Sequence, residues 1–134
     1  MRNRVVTIVA AVAIAVGGYL HWKIWDDAYR HAPVREMFLI NVGLSAVLAI
    51  ALLLRPTKLI AAGGFLLAAG SLVAFALSRG PGLPTFHGKF TETGLQPHNV
   101  QFLGQPAAVA VLVAEALAVI CCLGLLVRRT ARTA

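Results

Sequence analysis

The residue best suited to take part in acid–base chemistry is a glutamate inside an apolar run. Glu115 stands in the apolar stretch 111–117, about 12 Å from the start of that run at the rise of an α-helix. A charged group at such a depth in a membrane helix costs about 2.5 kcal/mol or more, so it normally faces the protein interior. The same counting places Asn41, Ser45 and Ser71 at depths of about 6 to 12 Å. We therefore predict an intramembrane polar cluster of these four side chains.

Two hypotheses describe what this cluster does. In the first, Glu115 binds and releases protons or cations. In the second, Glu115 is a neutral carboxyl that holds helices together by hydrogen bonding, since the protonated form can donate a bond. The sequence alone leaves both hypotheses open.

The four histidines fall on the predicted outer side of the bundle, where imidazole groups could bind zinc or copper. They are His21, His31, His87 and His98. Their spacing is not that of a compact metal motif, and none is predicted well inside a span, where a haem iron would need it. Cys121 and Cys122 are adjacent rather than in a C-x-x-C motif, which argues against thiol–disulfide relay chemistry. We predict no cofactor, no metal site and no catalytic residue.

Four apolar segments must position these residues, and each is long enough to cross a bilayer of about 30 Å. They occupy residues 5–22, 37–54, 59–78 and 107–127. Hydrophobic residues make up 59% of the chain and charged residues 13%, which is far from a soluble domain. The prediction is an all-α, single-domain bundle of four transmembrane helices over residues 1–134. We expect the first segment to be a retained helix, not a cleaved signal peptide, because no polar region follows it.

The basic residues are divided unequally between the two ends of the predicted bundle. Seven lie in the N-terminus, the 55–58 loop and the C-terminus with no acidic residue among them, whereas the other five share their loops with four acidic residues. The positive-inside rule then places both termini in the cytoplasm of a plasma (inner) membrane. The net charge of +7 is explained by this arrangement, so nucleic acid is not a predicted partner.

The connections between the helices also carry predictions. Trp22, Trp25, Tyr29 and Arg30 follow helical spacing beyond the first run, so we expect an interfacial belt on a helix that continues towards Pro33. Thr57 is a predicted N-cap in a short antiparallel turn. The outer loop 79–106 is long enough to be functional, and its apolar side chains are expected to fold onto the bundle. These side chains are Phe86, Phe90, Leu95 and Phe102.

Small residues recur at intervals of four on two of the predicted helices, which favours close contact between membrane helices. On the fourth helix they are Ala110, Ala114 and Ala118, and on the third they are Gly70 and Ala74. The spacing does not separate contacts within the chain from contacts between chains.

Short motifs along the chain resemble an uncharacterised group of small four-span membrane proteins of actinobacteria. The matching residues are His21, the segments 29–33 and 38–41, the segment 90–92 and Glu115. The resemblance covers most of the chain and implies a four-span fold but no activity. The segment 82–88 is longer and more polar than the group's pattern.

These observations favour a non-enzymatic accessory or scaffold subunit that packs against itself or a larger membrane complex. The alternative is a proton-coupled small transporter or channel-like oligomer that uses Glu115. A third possibility is an outward-facing metal or redox-cofactor site.

Overall fold

The computed structural model describes residues 2–92 and 100–130, most of which lie in four long α-helices. The helices are α1 (Arg2–Ile24), α2 (Arg35–Leu54), α3 (Lys58–Ser78) and α4 (Ala107–Thr130). All four are long and apolar enough to cross a membrane by length and composition. The predicted all-α class is confirmed. We call the end of the bundle where α1 begins and α4 ends the termini end. The opposite end, where the chain between α3 and α4 forms two β-hairpins, is called the hairpin end.

The first helix continues past its predicted boundary at residue 22. A π-helical turn, Trp25–Tyr29, follows α1 directly, and the turn that contains Pro33 separates it from α2. Arg30 forms an ion pair with Asp26, and Lys23 forms one with Asp27 at 3.0 Å. Both pairs join residues four apart, the spacing at which helical side chains meet.

The connection between α2 and α3 contains only residues 55–57. The side chain of Thr57 accepts a hydrogen bond from the backbone amide of Ile60 at 3.2 Å. This bond satisfies one of the free amides at the start of α3. The predicted N-cap at Thr57 is confirmed.

Two small β-hairpins occupy the described parts of the predicted loop 79–106. The first pairs β1 (Leu83–Thr85) with β2 (Gly88–Phe90), and the second pairs β3 (Gln101–Phe102) with β4 (Gln105–Pro106). Hydrogen bonds from Glu92 N to Ser78 O (2.8 Å) and from Ala107 N to Val100 O (2.9 Å) fasten this segment to α3 and α4. Phe90 and Phe102 pack on the bundle, whereas Phe86 is 75% exposed. Leu95 lies outside the described residues.

The core has two parts of different composition. The part near the termini end is built mostly from small side chains: Ala10, Ala11, Ala13, Ile14, Ala49, Leu52, Ala61, Ala68, Ala118, Cys122 and Leu125. The part near the hairpin end contains larger ones: Leu20, Ile24, Tyr29, Val34, Leu83, Val100, Ala107 and Val111. Small side chains allow helices to approach closely. The bundle is therefore tightest at the termini end.

Some of the small residues predicted to pack between helices are buried within the chain, and others are not. Ala114 and Ala118 are buried in the core, and Ala110 and Ala74 are half-buried against its hairpin-end part. Gly70 was predicted as a packing residue, but a Cβ placed there would meet no atom within 4 Å. The close approach of α3 occurs at Gly64 instead, where a Cβ would lie 2.9 Å from Ile14 Cδ1 and 3.0 Å from Cys122 Sγ. Gly70 is free of such contacts because α2 and α3 pack against each other less closely than the other neighbouring helices.

Candidate functional site

A layer of polar side chains separates the two parts of the apolar core. We call it the polar layer, and every helix contributes to it. Its members are His21 on α1, Asn41 and Ser45 on α2, Ser71 on α3 and Glu115 on α4. Buried polar groups are stable only when they are hydrogen-bonded, so the partners of each member determine what the layer can do.

Three of the predicted cluster residues form a continuous hydrogen-bonded chain. Ser45 Oγ donates to Asn41 Oδ1 at 3.1 Å, and Asn41 Nδ2 donates to Ser71 Oγ at 2.7 Å. Ser71 Oγ in turn donates to the backbone carbonyl of Leu67 at 3.0 Å. The Asn41 amide therefore joins α2 to α3 across the bundle. Asn41 and Ser45 are both buried.

Glu115 lies at the α1–α4 contact and completes the predicted cluster. Its residue exposure is only 4%, and its carboxyl interacts with the Ser71 side chain. Oε1 also lies 3.8 Å from His21 Nδ1. The carboxyl is thus placed between a hydroxyl on α3 and an imidazole on α1. Movement of about 1 Å would bring the imidazole into hydrogen-bonding distance of it.

Two glycines on α1 make room for the polar layer. A Cβ on Gly17 would lie 3.3 Å from Glu115 Oε1, and a Cβ on Gly18 would lie 2.6 Å from Ser45 Cβ. The second distance is shorter than any ordinary contact between carbon atoms. The pair therefore allows α1 to approach α4 on one side and α2 on the other.

His21 was predicted to lie on the outer side and not well inside a span, but the structure largely buries its side chain, which is 12% exposed, within the bundle. Its Nδ1 hydrogen-bonds to the backbone carbonyl of Gly17 at 2.8 Å, and its ring packs on Phe38 with centroids 5.3 Å apart. The physical reason is the length of the first candidate span, which runs to Tyr29. His21 lies eight residues before that end, about 12 Å along the helix axis, and beside Glu115 in the bundle. Counting depth from Pro33, the first helix-breaking residue, would have found it.

Tyr29 was predicted to belong to the interfacial belt but is buried at the hairpin end. Its hydroxyl donates to Glu92 Oε2 at 2.6 Å, and its ring contacts Phe38 at 5.2 Å and Phe90 at 5.5 Å between centroids. The π-helical turn and the turn that follows it place this ring over α2 and beneath β2. Tyr29 therefore links α1 to the first hairpin.

The other predicted belt residues lie nearer the surface. Trp22 is 44% exposed, Trp25 is half-buried, and Arg30 is exposed with its guanidinium 5.3 Å from the Trp25 ring centroid. The exposed Trp22 and Arg30 fit the predicted position at a membrane boundary, whereas the indole nitrogen of Trp25 is buried and makes no hydrogen bond to the described residues.

The remaining candidate metal ligands lie in different parts of the fold. His31 is exposed in the turn before α2, and His87 hydrogen-bonds to Glu36 Oε1 at 3.0 Å. His98 lies outside the described residues. Within residues 2–92 and 100–130, no group of three or more histidine, cysteine, aspartate or glutamate side chains could hold a metal ion. The described geometry therefore gives no support to the predicted third possibility, a metal site.

Comparison with protein-family models, curated proteins and solved structures gives no match. The resemblance to the actinobacterial four-span group stays a prediction. The residues that carry it nevertheless converge in space. Tyr29, Phe38, Phe90 and Glu92 meet at the hairpin end, and His21 contacts both Phe38 and Glu115. Segments more than 60 residues apart are thus joined around one site.

Proposed function

We propose that this protein is a four-span integral membrane protein with both termini in the cytoplasm, and that it is a small proton-coupled transporter. Glu115 and His21 form its proton-binding site. The observation that carries the proposal is the 3.8 Å separation of their side chains inside the bundle.

The membrane assignment is supported by the composition of all four helices. Each has a mean hydropathy between 1.9 and 2.7 over its most apolar window, and many large apolar side chains are exposed on the outside of the bundle, including Val47, Leu54 and Leu59. Such a surface suits lipid and would aggregate in water. The uneven distribution of basic residues supports the orientation.

The histidine favours proton binding over a purely structural role for the carboxyl. Asn41, Ser45 and Ser71 already hydrogen-bond with one another, so helix association needs no imidazole. His21 adds a second side chain that can take up and release a proton. His21 Nδ1 already carries a proton, because it donates to the Gly17 carbonyl. When Nε2 takes up a second proton, Nδ1 can give its own proton to the Glu115 carboxylate once the gap of 3.8 Å closes.

The accessory-subunit interpretation stays a prediction, and the small-residue stripe of α4 gives it less support than expected. Ala114 and Ala118 are buried within the chain and are therefore not available to a partner helix.

Infrared spectroscopy of the protein in lipid nanodiscs would test the proposal. Protonated carboxylic acids have a distinct carbonyl band, which should fade reversibly for Glu115 as the pH rises from about 5 to 8. The band should be missing in Glu115→Gln, which keeps a donor and an acceptor at nearly the same size. Asp27→Asn is the matched control, because Asp27 is an exposed carboxylate paired with Lys23.

The same variants in proteoliposomes connect the titration to transport. With an imposed pH gradient, proton flux should be present for the wild type and Asp27→Asn and abolished for Glu115→Gln. If the Glu115 carbonyl band does not change between about pH 5 and 8, proton binding is rejected. The carboxyl then has only a structural role, in which it joins helices by hydrogen bonding.

A further inference from the structure

A cavity of about 400 Å³ lies between α2 and α3 and extends to the first hairpin. Its volume falls within the range of small-molecule sites. Apolar side chains from both helices, the hairpin and α4 form most of its wall. They include Met37, Leu67, Ala74, Leu83, Phe90 and Val111. The cavity arises where the helices separate above the alanine-rich part of the core.

Exposed side chains on the flank of the bundle are among those that line the cavity. Ile40 on α2 and Leu66 on α3 line it and are 52% and 67% exposed. These side chains lie on the surface that faces lipid in the proposed function. A ligand that enters between them would come from the bilayer and would be lipid-soluble.

The deep end of the cavity is polar and belongs to the proton-binding site. His21, Asn41 and Ser71 line it, but Asn41 and Ser71 are already hydrogen-bonded to each other. His21 uses Nδ1 to contact the Gly17 carbonyl. Its Nε2 makes no hydrogen bond to the described part of the chain, and it is not among the fully buried atoms. Because Nδ1 carries the proton, Nε2 is a hydrogen-bond acceptor on a ring that lines the cavity.

We propose that the cavity binds an uncharged amphiphile from the bilayer, whose hydroxyl donates to His21 Nε2 and whose apolar body lies between α2 and α3. Arg79 also lines the cavity, but its guanidinium donates to Ser78 Oγ and lies 3.6 Å from the Phe75 ring centroid at the hairpin end. An ionic head group beside His21 would be costly among the apolar side chains there, whereas a hydroxyl matches the acceptor at His21 Nε2. The inference rests on the proposed function, since His21 belongs to the same proton-binding site, and it names the substrate class of that site.

Photolabelling would test this inference with hexadecan-1-ol that carries a diazirine in its chain. Protein in nanodiscs is irradiated with the probe, and the labelled peptides are mapped by mass spectrometry. We expect label on α2 and α3 at cavity positions such as Met37, Leu67 and Ala74. The corresponding hexadecane probe, which lacks the hydroxyl, should label these positions about tenfold less, as expected for the loss of one good hydrogen bond.

Two glycines provide a matched pair of variants. A Cβ on Gly70 or Gly43 would meet no atom within 4 Å and both glycines are exposed, so a side chain can be added at either position, but of the two only Gly70 lines the cavity. Gly70→Leu should reduce cavity labelling about tenfold or more, and Gly43→Leu should leave it unchanged. His21→Phe, which retains an aromatic ring beside Phe38, should remove the preference for the alcohol over the hydrocarbon.

The outcomes separate this inference from the proposed function. Labelling that is equal in Gly70→Leu and wild type, or that spreads over the lipid-facing surface, overturns the ligand inference even if Glu115 titrates. Labelling that depends on Gly70 while Glu115 does not titrate overturns the transporter and retains a binding site. Gly70-dependent labelling together with a titrating Glu115 supports both.

Discussion

At the scale of single residues, the polar layer combines groups that satisfy one another with groups that do not. Asn41 donates to Ser71 and accepts from Ser45. Both ends of its amide are therefore hydrogen-bonded, and the bond to Ser71 joins α2 to α3. His21 and Glu115 face each other at 3.8 Å, beyond the length of a hydrogen bond. The hydrogen bonds of Asn41 hold α2 and α3 together. The pair of His21 and Glu115 can change its hydrogen bonding when a proton is gained or lost.

The hydroxyl of Tyr29 connects the helical bundle to the segment that follows the first hairpin by a hydrogen bond to Glu92. Tyr29→Phe removes its 2.6 Å bond to Glu92 and keeps the ring contacts with Phe38 and Phe90. A hydrogen bond to a charged group contributes about 1.5 to 3 kcal/mol. We expect hydrogen exchange at the amides of residues 83–90 to become roughly tenfold faster or more.

Tyr19→Phe is the control for this prediction, because Tyr19 is 51% exposed. In Tyr19→Phe, hydrogen exchange at the amides of residues 83–90 should be as slow as in the wild type. Unchanged exchange in Tyr29→Phe would show that the other contacts of the hairpin, such as those of Phe90 and of His87 with Glu36, hold it without the Tyr29 hydroxyl.

At the scale of elements, α1 approaches α2 and α4 closely where it carries the adjacent glycines Gly17 and Gly18. The termini-end part of the core is rich in alanine, and Gly17 and Gly18 extend this close packing to the polar layer. Nearer the hairpin end, larger side chains hold α2 and α3 apart and leave the cavity. The same two helices therefore provide both a hydrogen-bonded contact at Asn41 and an open site above it.

Substitution of Gly18 tests how much the polar layer depends on this close approach. In Gly18→Ala the new Cβ would lie 2.6 Å from Ser45 Cβ, so α1 and α2 must separate. Overpacking of this kind costs about 1 to 3 kcal/mol. Thermal unfolding in detergent should show a lower midpoint than the wild type.

Gly43→Ala is the matched helical substitution, because a Cβ at Gly43 would meet no atom within 4 Å. It should unfold at or slightly above the wild-type midpoint, since alanine favours helix over glycine. Equal loss of stability in both variants would indicate that the α1–α2 contact at Gly18 is not tight.

At the scale of the whole molecule, the two ends of the bundle differ in charge and in structure. The termini end carries the short α2–α3 connection with Arg55 and Lys58, and the hairpin end carries β1–β2, the Tyr29 cluster and most of the acidic residues. Proton and ligand movement in the proposed function would have a direction only if these ends lie on opposite sides of the bilayer.

Two exposed lysines test this orientation. In a background with Cys121→Ala and Cys122→Ala, Lys89→Cys should react with an impermeant maleimide added to intact cells, because β2 is predicted to face outward. Lys58→Cys should react only after the cells are permeabilised. Both lysines are exposed, so access to the side chain is matched, and the reverse labelling pattern would reverse the topology.

The sequence by itself determined the four helices, the Thr57 cap and the four residues Asn41, Ser45, Ser71 and Glu115 as candidates for one cluster. These features depend on local composition and on helical rise, which act within a single segment.

Only the tertiary structure decided what completes the site and where the bundle is open. His21 faces Glu115 because α1 continues into the turn that ends at Tyr29, and Gly70 lines a cavity because α2 and α3 separate there. Burial of Tyr29 under the first hairpin joins segments 63 residues apart. Such contacts depend on the mutual placement of helices and on which faces of α1, α2 and α3 turn inward. The spacing of small and polar residues along one chain does not fix that placement.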